Sequence, residues 1–288
     1  MFRQKCHLFF KVINLVVSFL LSCAVSTGSN ESDFFFSVIN VGQGLSQIGI
    51  FDSTSAVIWD MGPPQAFDSW FSEYSRLGKP YIDAIIISHR DLDHSGGLLF
   101  IDTAVNWSGL LVTSIYEDTS YIKKLCEKWN GSVFVKTYSQ GDTFALTKDV
   151  KVRCLWPPPD LEFLGIPTGE DINRYSLVFS IQHELVRFLI LSDIDSIASE
   201  QIALKYKESL NSQILVLPHH GSKSAFNYLF AGYARPQLAI VSCARYNDYG
   251  HPSNSVLALY SMLGSQLIST FTLGSVTITS NGFVWQSE

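Results

Sequence analysis

A run of β-branched apolar residues, Ile85 to Ile87, ends abruptly at Ser88, and four potential metal ligands follow within six residues: His89, Asp91, Asp93 and His94. An apolar run of this kind, cut off by polar residues, reads as a buried strand. Gly96 and Gly97 then allow a tight turn before the next apolar segment. This order of strand, polar loop and glycine pair constrains the fold more than any other feature, because it asks for a sheet whose strand ends carry chemistry. Imidazole nitrogens and carboxylate oxygens alternating on a short loop suit borderline divalent cations such as zinc or manganese. A solvated turn after a core strand would account for the two Asp, but not for two His at this spacing beside a Gly pair.

The rest of the chain repeats the same grammar. Residues 34–39, 46–51 and 56–59 read as strands, and a helix is expected over 66–77, closed by Pro80. After the polar loop come a short helix at 97–103, a strand at 110–116 and a helix at 119–129. Strands are expected at 132–138, 150–156, 176–182 and 185–191, with a loop over 157–171 of the kind that lines binding sites. Helices at 196–209 and 254–263, another beginning near Ser224, strands at 214–217 and 238–242, and short closing strands complete the order. The candidate ligands all lie just past strand ends, and no linker interrupts the pattern. Residues 34–288 are therefore read as one α/β (α+β) domain, two mixed sheets packed together with helices outside.

Residues 1–11 carry Arg3, Lys5 and Lys11, and residues 12–21 are almost wholly apolar, the order of a secretory signal. The apolar run is short for a spanning helix. Residues 1–22 are expected to be removed, and Leu20-Leu-Ser-Cys23 also resembles a bacterial lipobox, in which lipid on Cys23 would anchor the chain to a membrane. Residues 23–33 form a polar tether. The expected location is exported, periplasmic or at the cell surface. A net charge of −6 argues against a surface built for nucleic acid. Five Cys with no CxxC pair exclude a disulfide scaffold and a cysteine zinc ribbon.

His89-Arg-Asp-Leu-Asp-His94 resembles the His-x-Asp-x-Asp-His variant of the signature of metallo-β-lactamase-fold hydrolases, with Asp91 where the general signature has His. That variant is typical of the hydrolase domain of the competence protein ComEC. Val41-Gly-Gln-Gly44, Trp59-Asp-Met-Gly62, Asn173-Arg-Tyr-Ser-Leu177, Leu191-Ser-Asp-Ile194, Pro218-His-His-Gly-Ser222 and Gly250-His-Pro252 recur in that subfamily's order, so the resemblance covers residues 34–288. It implies an αββα sandwich and two divalent metal ions, zinc first and manganese as the alternative. Five of the seven His lie in these motif segments. By resemblance His89, Asp91, Asp93, His94 and a bridging Asp193 are metal ligands, with one of His219 or His220 as another. A carboxylate suits the bridge because its two oxygens can hold cations roughly 3.5–4 Å apart. No His lies between His94 and His183, so the third-motif His of many superfamily members is missing, with His251 or His220 as the replacement. The resemblance places Asp60 close behind the metal loop, where it would orient ligands. Asn173 is either a similar support or a turn residue, and His220, Ser222 and Lys223 would contact a substrate anion. His183, beside Glu184, reads as a surface residue of a hairpin.

This site implies a hydrolase that activates water with metal, Asp91 or Asp93 accepting the proton, and a phosphodiesterase ahead of other activities. The expected partner is a small-molecule or cell-envelope ester or phosphodiester, ahead of nucleic acid. Competing expectations are hydrolysis of β-lactams or lactones, which the same fold hosts, and a non-catalytic surface module that binds metal for stability.

Overall fold

The computed structural model describes residues 33–160 and 172–288. The expected signal, Cys23 and most of the tether lie outside the described residues, as do residues 161–171 of the expected loop.

The strands in chain order are β1 (Phe34–Val38), β2 (Ser46–Phe51), β3 (Ser55–Met61), β4 (Tyr81–Ile87), β5 (Leu110–Ser114), β6 (Phe134–Tyr138), β7 (Thr143–Ala145) and β8 (Val150–Trp156). They continue as β9 (Val178–His183), β10 (Val186–Ile190), β11 (Ile214–Val216), β12 (Leu238–Val241), β13 (Gln266–Ser269), β14 (Val276–Ser280) and β15 (Trp285–Ser287). One sheet runs β15-β14-β1-β2-β3-β4-β5-β6 and the other β13-β12-β11-β10-β9-β8-β7. Strands β3 to β6 are mutually parallel, as are β10 to β13, and the remaining neighbours are antiparallel. Both sheets are therefore mixed, and the C-terminal β14 pairs with the first strand of the domain.

Alternation along the strands divides the core into three layers. In β4, Ile86 faces a cluster between the sheets that includes Phe36, Trp59, Phe188 and Val216. Its neighbours Ile85 and Ile87 face the opposite way, toward Trp70 and Tyr74 of the helix Phe67–Arg76. The second sheet does the same. Phe188 and Ile190 point inward, while Leu189 and Leu191 pack beneath the helices Ser196–Tyr206, Tyr228–Ala234 and Asn254–Met262. Burial on both faces explains why β4 and β10 read as continuous apolar runs. Each fully buried large apolar side chain stabilises this stack by about 1.5–3 kcal/mol, and the three Cys among the described residues are free. The result is the expected αββα sandwich.

Several elements differ from expectation. A fifteenth strand, β7, forms from Thr143-Phe-Ala145, a segment whose single inward side chain, Phe144, is too short a pattern to recognise. Residues Leu92–Ser95 form one helical turn inside the metal loop, and the helix expected at 97–103 is a 3₁₀ segment, Gly96–Phe100. The helix expected to begin near Ser224 starts at Tyr228, capped by Asn227, after a 3₁₀ turn at Lys223–Ala225. The helix expected over 119–129 shortens to Thr119–Lys124. His183 is a correction: it is buried, 1% exposed, with Nδ1 3.0 Å from Ser280 Oγ and its ring edge-on to Phe34. The C-terminal hairpin covers it, a contact between distant segments that local sequence does not reveal.

Candidate metal centre

Each candidate ligand sits where a parallel strand runs out into a loop. Strand β4 delivers His89, β10 delivers Asp193, and β11 delivers His219 and His220. Crevices at the carboxyl ends of parallel strands are the usual place for sites in such sheets, because the loops there converge.

The metal loop is shaped by close backbone packing. The amides of His94 and Ser95 both bond the Asp91 carbonyl, at 3.0 and 2.9 Å, which coils Leu92–Ser95 into its turn. This turn lies against the strand end at Met61-Gly62. A Cβ on Gly97 would stand 2.4 Å from the Met61 carbonyl oxygen, so only glycine permits the approach. Gly44 does the same on the other side: its Cβ would meet the Asp93 carbonyl at 2.5 Å, and its own carbonyl accepts a bond from Ser242 Oγ at 2.8 Å. Val41-Gly-Gln-Gly44 is thus a bridge between the two sheets beneath Asp93.

Asp93, His94, Asp193 and His220 each present one donor atom, all within 4.8 Å of one another. His94 Nε2 is 3.1 Å from Asp193 Oδ1, and His220 Nε2 is 3.3 Å from Asp93 Oδ2 and 3.4 Å from Asp193 Oδ2. His89 and Asp91 stand beside this group as a second pair, with Nε2 and Oδ2 3.6 Å apart and the His89 and His94 ring centres separated by 4.2 Å. The Nε2 atoms of His89, His94 and His220, and Asp193 Oδ1, are buried yet complete no hydrogen bond of acceptable geometry. Buried polar atoms are rarely left this way. Their lone pairs converge on shared space rather than on one another, the arrangement a divalent cation satisfies, and the mixed N and O donors suit zinc or manganese.

The opposite nitrogen of each ring is anchored. His94 Nδ1 lies 2.7 Å from Asp60 Oδ2, His220 Nδ1 2.8 Å from the Ser242 carbonyl, and His219 Nδ1 3.1 Å from Ser224 Oγ. A proton on Nδ1 leaves Nε2 free to bind. The backbone is bent to achieve this. Asp60, Ser192, His219 and His220 all have left-handed φ, between 46° and 59°, a conformation that costs of order 1–3 kcal/mol each for a non-glycine residue. Such strain gathers where a fold has to aim side chains.

Charge binds the cluster together. Burial is the strongest single influence on Asp93 and opposes its charge, but His220, 3.3 Å away, and the charge of His94 prevail and bring its pKa down to about 2. Burial likewise disfavours the charged Asp193, and His220 and His94 hold it well below the carboxylate range. The two rings respond in kind. Against burial, Asp193 and Asp93 raise His220 to about 9, and Asp193 with Asp60 raises His94 well above the ordinary imidazole value. Metal-free, the cluster holds protons between carboxylates. His219 instead shifts down, chiefly through burial.

The remaining candidates fall into place around this group. Of the adjacent pair, His220 joins the donor cluster, while His219 is more open, its side chain 25% exposed and Nε2 3.7 Å from Asp193 Oδ2. His251 is not among the four clustered donors; its ring stacks beside that of His220 at 6.1 Å. Asn173 lies in the 3₁₀ turn Ile172–Tyr175, which leads to Leu177, whose amide bonds the Ser88 carbonyl at 3.1 Å. Ser222 caps the 3₁₀ turn of Lys223, and Lys223 itself is exposed. Asp195, not Asp193, caps the helix Ser196–Tyr206, accepting from Ala198 N at 2.9 Å.

Sequence reading found Asp60 but missed three further supports. Ser88 and Ser192, each directly before a candidate ligand at a strand end, touch through their hydroxyls. Glu117 is buried with Oε1 accepting from Arg90 N at 3.1 Å, so it holds the metal loop from the side. Burial raises its pKa, against the pull of His89 and the Arg90 amide. Adjacency to a ligand was a signal for the two serines; nothing around Glu117 marks it.

No protein-family model matches the chain. Among curated relatives it is 25% identical over 251 residues to the competence protein ComA of Neisseria gonorrhoeae, covering 85% of this chain and 32% of that protein. It is 23% identical over 276 residues to ComE operon protein 3 of Bacillus subtilis, covering 90% and 34%. The chain thus spans about a third of the length of these relatives. Among solved structures it is similar to CmlA, a diiron β-hydroxylase from Streptomyces venezuelae, with a TM-score of 0.51 at 12% identity over 83% of this chain and 53% of that one. It is also similar to the metallo-β-lactamase fold protein YhfI from Bacillus subtilis, with a TM-score of 0.49 at 10% identity over 82% and 95%. The likeness to CmlA shows a shared fold, the two mixed sheets packed between helices described above. Within that fold, Asp93, His94, Asp193 and His220 form a cluster that could hold a metal ion.

Proposed function

We propose that the protein is an exported, metal-dependent phosphodiesterase acting on a small-molecule or cell-envelope substrate. The observation that carries this reading is the convergence of Asp93, His94, Asp193 and His220 donor atoms within 4.8 Å, with His89 and Asp91 beside them. These residues, Asp193 at their centre, would hold divalent metal, which would supply polarisation of a phosphoryl oxygen and a lowered pKa for water.

The chain's own groups divide the remaining work. Asp91, with a side chain 47% exposed and Oδ2 3.6 Å from His89 Nε2, is the carboxylate most open to an attacking water. Its pKa is lowered by His89 beside it, so it stands ionised and able to orient that water and accept a proton. His220 is enclosed by two carboxylates and serves as a ligand, whereas His219, partly open and with its Nε2 bare, stands 3.7 Å from Asp193 as a further donor to a cation. The order of basic and apolar residues before Cys23 supports export, with lipid on Cys23 as the anchor.

The test is hydrolysis by purified protein, loaded with zinc or manganese, of bis-p-nitrophenyl phosphate, single-stranded DNA and nitrocefin. Turnover of the diester that disappears with chelation and returns with metal is expected. Turnover of nitrocefin alone would move the reading to β-lactam hydrolysis, and metal binding without any turnover to a stabilised binding module.

A further inference from the structure

We propose that Ser88 is a positioning residue. Its single hydroxyl sets the tautomer of His89 and ties the metal loop of the first sheet to the Asp193 loop of the second. The inference rests on the cation-site reading above and concerns residues beneath the ligands.

Ser88 is 5% exposed, and its side chain has four polar neighbours. Its Oγ lies 2.8 Å from Asp60 Oδ2, 3.0 Å from His89 Nδ1, 3.5 Å from His94 Nδ1 and 2.5 Å from Ser192 Oγ. A count of protons assigns the directions. The Asp60 carboxylate has none to give, so it accepts: from Ser88 N at 2.8 Å, from the Ser88 hydroxyl, and from His94 Nδ1 at 2.7 Å. The one hydroxyl proton of Ser88 is thereby committed to Asp60. Its remaining contacts reach it as donors, the His89 Nδ1–H and the Ser192 hydroxyl. His89 must then carry its proton on Nδ1 and leave Nε2 bare, which agrees with His89 Nε2 being buried and without a hydrogen-bond partner among the described residues.

The two rings depend on Ser88 unequally. His94 has Asp60 as its direct partner at Nδ1, whereas the bond to Ser88 is the contact that holds His89 Nδ1. Ser192, 1% exposed and with a left-handed φ of 46°, carries the link onward: its hydroxyl reaches Ser88, and its carbonyl accepts the His219 amide at 2.8 Å. Losing the Ser88 hydroxyl therefore loosens the His89 and Asp91 side of the centre first. It leaves the Asp93, His94, Asp193 and His220 group with its own supports.

The experiment is cobalt(II) and zinc titration of metal-free protein, followed by cobalt absorption and by competition with a chromophoric chelator, for wild type, Ser88→Ala and Ser88→Thr. Wild type should bind in two steps. Ser88→Ala should weaken the looser step by about 10–100-fold, the usual scale for removing a hydrogen-bond support behind a metal-binding His, and shift the cobalt spectrum. Its tighter step should change little. Ser88→Thr, which keeps the hydroxyl, should restore the affinity. Wild-type affinities and spectrum in Ser88→Ala would overturn the proposal, and so would a Ser88→Thr protein as weak as Ser88→Ala while its metal-free melting temperature matches wild type. Failure of wild type to bind any cation would overturn the cation site itself, a separate outcome.

Discussion

Replacing Asp193 with Asn removes one negative charge while preserving shape, and the structure makes the outcome of that change specific. Asp193 is 3% exposed and lies within 3.7 Å of the Nε2 atoms of His94, His219 and His220. A mere helix-capping role is excluded, because Asp195 makes the capping bond to Ala198 N. Were capping its task, Asn would serve about as well as Asp. As a ligand, the neutral amide leaves a buried cation and two histidines without their central carboxylate. Removing one partner of a buried, hydrogen-bonded charge pair costs about 3–5 kcal/mol. At about 1.4 kcal/mol per decade, that is a loss of roughly two to four orders of magnitude in metal affinity. Hydrolysis of a model diester should slow at least roughly a hundredfold, the scale of losing one stabilising contact in the reaction. The assay is metal content by mass spectrometry after dialysis against a buffered chelator, alongside the rate on bis-p-nitrophenyl phosphate. The far-ultraviolet circular dichroism should be unchanged, since the fold is held by the three apolar layers. Wild-type metal content and rate in Asp193→Asn would refute the reasoning and remove the two-cation arrangement with it.

Other consequences are equally open to measurement. In the metal-free protein His220 titrates near about 9, above the ordinary imidazole value, because Asp193 and Asp93 outweigh burial. A group raised in the folded state contributes stability that is complete below about pH 6.5 and lost as pH climbs through its folded value. The melting temperature of chelator-treated protein should therefore fall from pH 6.5 to 9, a decline absent after metal loading; parallel profiles would contradict the assignment. Gly97→Ala forces a Cβ to 2.4 Å from the Met61 carbonyl and should cost about 1–3 kcal/mol, with weaker metal binding, whereas Gly232→Ala, with open space around it, should be neutral or slightly stabilising. Equal melting temperatures for the two variants would show that the metal loop does not need its close approach. Cys126, Cys154 and Cys243 are free and buried, and burial pushes their thiols up to about 12, 12 and 11. Iodoacetamide at pH 8 should leave these three thiols unmodified and the protein active, and rapid labelling of one of them with loss of turnover would give it a role in the chemistry. Intact-mass analysis of protein from its native host should show residues 1–22 absent; a mass that includes Met1 would remove the export expectation.

The apolar strands and the ligand-bearing loops were legible because each is written locally. Ile85 to Ile87 with His89 to His94, and Phe188 to Leu191 with Asp193, pair a two-faced buried strand with polar residues at its end, and both signals lie within a few residues of one another. Adjacent His219 and His220 were visible as a pair, but sequence could not say which one enters the cluster. That was decided by left-handed backbone at both residues and by the Ser242 carbonyl, which lies on a different strand end and aims only His220. Burial of His183 beneath the C-terminal hairpin, the hold of Glu117 on Arg90, and the meeting of Ser88 with Ser192 across the two sheets have the same origin. Each joins groups far apart in the chain, and a hydrogen bond depends on a few tenths of an ångström and on direction, neither of which a residue type carries. The sequence by itself therefore determined which chemistry the strand ends offer. Only the packing of one sheet on the other decided which atoms meet, because that packing brings the ends of β4, β10 and β11 to a common point.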